Sequence, residues 1–175
     1  MSTNLTVGMG EIQVVRGASA VLTALGLGSC IGVCLYDPLT RVAGMVHVVL
    51  PKSQMDKAGE LPGKFADTAI PAIVQRMVEM GASTSRLKAA IAGGAQLFQF
   101  GVSSSLDVGA RNSEAVIAAL RELGIPLQAK DVGGSVGRTL RLVSDTGLVA
   151  VRTIGGTERE LAVLGKILSS SGVAA

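Results

Sequence analysis

Two cysteines and a single histidine carry most of the nucleophilic and acid–base chemistry open to this chain. Cys30 ends the run Gly26-Leu27-Gly28-Ser29-Cys30, and His47 lies in Gly44-Met45-Val46-His47-Val48-Val49-Leu50-Pro51. A thiol next to an imidazole becomes a nucleophile by giving the ring its proton. The glycines suit that chemistry, because they let the backbone turn sharply and leave adjacent N–H groups free to hold an oxyanion. The run is not a nucleotide loop: its glycines miss the G-x-G-x-x-G spacing, no Gly-Lys-Ser/Thr follows, and the next segment has strand character. Taken singly, each residue also has a plain explanation. Free cysteine commonly packs as a small hydrophobe, and a lone histidine among aliphatics commonly hydrogen-bonds to backbone. Cys34 is the internal comparison: it sits mid-strand between Val33 and Leu35 with no glycine near it, and is assigned to packing.

Gly28 and Ser29 beside the thiol are candidate substrate contacts. So are Arg111 and Asn112 in Gly109-Ala110-Arg111-Asn112, although a helix cap explains Asn112 equally well. Two cysteines and one histidine exclude a disulfide framework and an ordinary zinc site, so no metal or organic cofactor is expected. Along a strand, Cys30 and Cys34 would stand roughly 13 Å apart at Cα, beyond disulfide reach. Free thiols suit a reducing cytoplasm.

With 175 residues the chain is read as one domain with no internal repeat or linker. Aromatic residues make up 2% and Trp is absent, so Val, Ile, Leu, Ala and Met must build the core. A net charge of +3 without a Lys/Arg cluster or an aromatic row leaves no nucleic-acid footprint. The first residues lack a basic stretch followed by an apolar one, so no secretory signal is read and a cytoplasmic protein is expected. Ala18–Tyr36 runs without a charge for the length of a membrane helix. Its interruption by Gly26, Gly28, Ser29 and Gly32 favours two buried strands joined by a tight glycine turn.

The elements that must position the thiol and the ring follow from periodicity. Strands are expected over 12–16, 20–27, 31–37 and 42–50, with Asp37-Pro38-Leu39-Thr40 turning the last two into an antiparallel hairpin. That hairpin makes Cys30 and His47 neighbours. Ile70, Ile73, Val74, Met77 and Val78 form one helical face, closed by Gly81. A strand over 87–92 ends in Gly93-Gly94. A second helix is expected after Asn112 as N-cap, with Val116, Leu120 and Leu123 facing the core. Strands near 125–131, 138–143 and 148–154 follow, and a short helix over roughly 159–168 closes the chain. The fold class is α/β or α+β, layered around a mixed sheet.

Taken together, these segments resemble the CheD family, the chemoreceptor glutamine deamidases of bacterial chemotaxis. The match runs through Leu25-Gly26-Leu27-Gly28-Ser29-Cys30, Asp37-Pro38 and Gly44-Met45-x-His47-x-x-Leu50-Pro51. It continues through Pro62-Gly63-Lys64-x-x-Asp67-Thr68-Ala69, Lys88-Ala89-x-Ile91-Ala92-Gly93-Gly94-Ala95, Gly109-Ala110-Arg111-Asn112 and Asp131-x-Gly133-Gly134. The resemblance implies Cys30 as nucleophile, His47 as general base and a layered sandwich related to cysteine-dependent toxin deamidases. It implies glutamines on the helical cytoplasmic region of chemoreceptors as substrate, and a CheC-type phosphatase as partner. Ala24 departs from the family pattern, which usually has Thr there to assist the pair. Thr23 is the adjacent hydroxyl, but alternation along a strand turns it to the opposite face unless a bulge intervenes. The Ala24 departure defines the rival reading, a non-catalytic or weakly catalytic module that only binds a CheC-type phosphatase or receptors.

Overall fold

Apolar alternation along the chain builds two sheets, and two amphipathic helices cover one of them. The computed structural model describes residues 1–53, 61–97 and 107–167. In chain order the elements are β1 (Thr3–Thr6), β2 (Ile12–Arg16), β3 (Ala20–Leu27), β4 (Ile31–Asp37), β5 (Val42–Val48), α1 (Ala66–Glu79), β6 (Lys88–Gly93), α2 (Val108–Glu122), β7 (Leu127–Val132), β8 (Arg138–Val143), β9 (Leu148–Thr153) and β10 (Arg159–Val163). One five-stranded sheet has the order β1-β3-β8-β9-β10, the other β2-β5-β4-β6-β7. The pairs β1/β3 and β6/β7 are parallel and the remaining pairs antiparallel, so both sheets are mixed.

The second sheet is buried on both faces. Ile31, Val33 and Leu35 of β4, with Val42, Val46 and Val48 of β5, pack under α1 and α2. Cys34 and Tyr36, with Ala43 and Met45, pack against Leu22, Ala24, Leu140 and Leu142 of the first sheet. Two-sided burial explains why β4 and β5 read as continuous apolar runs. No helix among the described residues is long and apolar enough to cross a membrane; Ala18–Tyr36 holds β3 and β4 instead.

Three expectations need correction. Residues 159–163 form strand β10, not a helix: antiparallel pairing to β9 satisfies their backbone at once, whereas so short an isolated helix is costly to nucleate. Leu168 itself lies outside the described residues. Helix α2 starts at Val108 and is capped by Asp107, whose carboxylate accepts from the Ala110 amide at 2.9 Å; Asn112 therefore sits inside the helix. Val78 and Leu123, assigned to buried helix faces, are exposed. The two strands on either side of the glycine turn, β3 and β4, belong to different sheets, and Gly28–Cys30 carries the chain from one sheet to the other. Strand β1 had no signal of its own, because its short edge pattern is mostly exposed.

Candidate active site

The crossing between sheets puts Cys30 at the rim of the inter-sheet layer, and backbone contacts lock it there. The carbonyl of Gly28 accepts from Ala95 N at 2.8 Å, that of Ser29 from Asn112 Nδ2 at 2.9 Å, and that of Cys30 from Gly94 N at 2.9 Å. All three carbonyls are thus occupied. The amides of Ser29 and Cys30 donate to no backbone carbonyl among the described residues. Gly93 makes the close approach possible: it has φ 121°, and a side chain there would run into the Cys30 carbonyl.

His47 faces the same layer. On β5 it follows the parity of Ala43 and Met45, and Cys30, the residue before β4, packs in the same cluster as Cys34 and Tyr36. Gly32 is the register partner of His47, so Cys30, two residues earlier, occupies the diagonal position. Cys30 lies one residue past the last ladder pair, Ile31/Val48. Gly32 carries no side chain into this space; Leu140 and Leu27 of the first sheet fill it.

The histidine ring is held by a segment the sequence analysis did not assign to the site. Nδ1 lies 3.0 Å from the Val7 carbonyl. A carbonyl only accepts, so Nδ1 carries the proton and Nε2 keeps its lone pair. Nε2 is buried and has no partner among the described residues. The backbone of His47 is pinned as well, with Glu11 O accepting from its amide at 3.2 Å and Gly10 N donating to its carbonyl at 2.8 Å. Val7 N donates in turn to the Thr23 carbonyl at 2.8 Å. No sequence signal marks Val7, because its contribution is made by the backbone.

Burial lowers the His47 pKa; the Val7 carbonyl and the Glu11 charge oppose that without reversing it. Burial also raises the Cys30 pKa, partly offset by its own amide. Burial thus works toward the uncharged form of both groups. Both cysteines are free.

The other predicted site residues divide. Ser29 lines a cavity of about 280 Å³ together with Ala95, Gln96, Leu97, Asp107, Val108 and Gly109. Gly28 is half-buried behind it, in contact with Leu97. Arg111 lies on the exposed side of α2, whereas Asn112 is fully buried and bonded to backbone. Thr23 does not face the pair. Leu22 and Ala24 point into the inter-sheet layer, so alternation puts the Thr23 side chain on the opposite face. The register shift in β3 lies between Ala24 and Leu27, beyond Thr23, and leaves it there. Among the described residues no three His, Cys, Asp or Glu side chains gather as metal ligands would.

Fold and site together define a layered α+β protein with a thiol and an imidazole on the same face of one sheet, where its two sheets meet. Residues 49–153 match the family described as CheD chemotactic sensory transduction, and the chain belongs to the CheD family. It is 52% identical over 157 residues, 89% of this chain and 95% of the relative, to a probable chemoreceptor glutamine deamidase CheD of Symbiobacterium thermophilum. It is 44% identical over 163 residues, 92% of this chain and 100% of the relative, to the chemoreceptor glutamine deamidase CheD of Halalkalibacterium halodurans. A third relative, the chemoreceptor glutamine deamidase CheD of Thermotoga maritima, is 44% identical over 155 residues, 87% of this chain and 94% of its own length. The family match begins after His47, but matches this long in a chain of 175 residues necessarily span Cys30 and His47.

Proposed function

We propose that this chain is a chemoreceptor glutamine deamidase, an amidohydrolase that converts receptor glutamine side chains to glutamate with Cys30 as nucleophile and His47 as general base. The observation that carries the mechanism is the buried, unpartnered Nε2 of His47 on the face that Cys30 also occupies, with Nδ1 already committed to Val7. Because burial favours the neutral ring, His47 is available as a base at neutral pH. The thiol, held protonated at rest, gives up its proton only as it attacks.

In the reaction Nε2 takes the proton from Sγ while Sγ bonds to the carboxamide carbon. The amides of Ser29 and Cys30, which have no backbone acceptor among the described residues, stabilise the oxyanion. The imidazolium then returns its proton to the departing nitrogen, ammonia leaves and a thioester remains. Water, deprotonated by Nε2, attacks the thioester; the C–S bond breaks, the imidazolium returns that proton to the thiolate, and the carboxylic acid formed loses its own proton to solvent as glutamate. No step calls for a metal or organic cofactor. The helical cytoplasmic region of chemoreceptors is the proposed substrate surface, which sets the protein in the cytoplasm. A CheC-type phosphatase is the proposed regulatory partner.

Incubation with receptor cytoplasmic fragments is expected to convert specific glutamines to glutamate by mass spectrometry, and Cys30→Ala to abolish it. Equal conversion by Cys30→Ala would remove the thiol from the mechanism. The raised thiol and Ala24 favour the rival module that only binds; no conversion by a folded wild-type protein that still binds receptor fragments would establish it.

A further inference from the structure

Helix α2 sends one polar side chain into the region where β4 and β5 end. Asn112 is fully buried. Its Nδ2 lies 2.9 Å from Ser29 O and 2.9 Å from Val49 O. Both partners are carbonyls, which only accept, so the amide nitrogen must face them, and its two hydrogens are both used. Oδ1 is buried without a partner among the described residues.

The position of those two carbonyls matters. The β4/β5 ladder ends at the pair Ile31/Val48. Beyond it the chain on one side turns toward β3 through Ser29, and on the other side Val49 leaves to bond Lys64. Where the next ladder pair would have joined Cys30 to Val49, the strands part and the Asn112 amide bridges them. One carbonyl it holds immediately precedes the thiol residue; the other is two residues past His47.

We propose that Asn112 is a positioning residue that fixes the Cys30 loop against the His47 strand, and does not bind substrate. This rests on the proposed Cys30–His47 pairing. A helix interior is a poor place for Asn, and an unused buried oxygen is costly, so its retention has to be explained by what the nitrogen holds. With the clamp gone, the loop keeps the Gly94 and Ala95 bonds but loses the Asn112 bridge from Ser29 to Val49.

The test is a double-mutant cycle on the rate at which iodoacetamide alkylates Cys30, read by peptide mass spectrometry, with His47→Gln, Asn112→Ala and the double variant. In the wild-type background His47→Gln is expected to slow alkylation by about tenfold, and in the Asn112→Ala background by less than about twofold. Additive effects would overturn the proposal. In the deamidation assay Asn112→Ala is expected to lower kcat with KM within about threefold, as for loss of geometry alone; a rise in KM at constant kcat would return Asn112 to substrate binding. If Asn112→Ala does not fold, Asn112→Asp keeps the volume and replaces the donor, and the same cycle applies. Alkylation needs no receptor, so absence of deamidation with intact coupling would sink the proposed function and leave Asn112 standing.

Discussion

Strand β4 ends in two polar groups that are treated in opposite ways. At its C-terminal end the buried Asp37 carboxylate accepts from the amides of Leu39, Thr40 and Ser83 and from the Arg86 guanidinium, the last at 2.8 Å. Burial alone would raise its pKa, but Arg86 and those amides hold it down at about 2. At the N-terminal end the thiol of Cys30 and Nε2 of His47 sit in the same sheet with acid–base capacity unspent. A saturated group stabilises a fold and cannot react. An unsaturated one costs stability and is free to take part in chemistry. The carbonyls of Gly28, Ser29 and Cys30 are all bonded, while Nε2 of His47 has no partner among the described residues.

The largest expected effect tests whether the open end is open for catalysis. His47→Gln should lower kcat by about 10²–10⁴-fold, while leaving the melting temperature near that of the wild type. Because burial lowers the His47 pKa, activity in the wild type should rise with pH through a midpoint below the ordinary 6.5. A pH–rate profile with the midpoint at or above that value would contradict the buried, neutral ring.

A second measurement compares Cys30, just before β4, with Cys34 inside it. Cys34 is fully buried in the inter-sheet core, whereas Cys30 keeps 9% exposure at the rim. Burial raises the pKa of both, so neither is a standing thiolate. Native-state labelling at neutral pH is expected to modify Cys30 at least about 100-fold faster, because Cys34 reacts only through opening of the core. Comparable rates would mean that the rim is sealed or that the sheets separate easily.

Much of this contrast was legible in the sequence, and the residues show where legibility stopped. The Asp37-Pro38 turn, the β4/β5 hairpin and the difference between the two thiols all follow from local pattern and from glycine placement. The crossing from β3 to β4 between sheets was hidden, because a glycine-rich turn looks the same whether it closes a hairpin or changes sheet. Val7 was invisible because a carbonyl leaves no trace in residue type. Asn112 was read as a cap because Asn commonly is one, although Asp107, three residues before Ala110, was the cap signal present. The β10 segment was read as a helix on a short apolar pattern, but the free edge of β9 decides its conformation.

The saturated end supplies a smaller effect, in stability. Asp37→Asn removes the charge that Arg86 and three amides converge on, and should cost about 2–3 kcal/mol, less than a fully buried pair because Arg86 is 35% exposed. The pKa of Asp37 is lower folded than the ordinary 3.8, so its contribution is present above that value and is lost as pH falls through about 2. Acid denaturation of the wild type should therefore steepen between those limits and flatten in Asp37→Asn. Deamidation measured well below the melting temperature should be unchanged. A loss of activity without loss of stability would mean that the two ends of β4 are coupled.

The smallest effect is expected at Ala24, where the resemblance implies a Thr. Its side chain is fully buried in the inter-sheet layer, 3.6 Å from where a side chain on Gly32 would begin, and Gly32 is the register partner of His47. A hydroxyl at residue 24 would thus enter the open end. The ring is already oriented through Nδ1 by Val7, so a second orienting group has little left to do. Ala24→Thr should overpack Leu27 and Leu140 at a cost of about 1–2 kcal/mol, change kcat by less than about threefold, and leave the acid limb in place. A tenfold gain would show that the Val7 carbonyl does not suffice and that this chain works with an incomplete site. A tenfold loss would show the hydroxyl satisfying Nε2, which would turn the open end of β4 into a second saturated one.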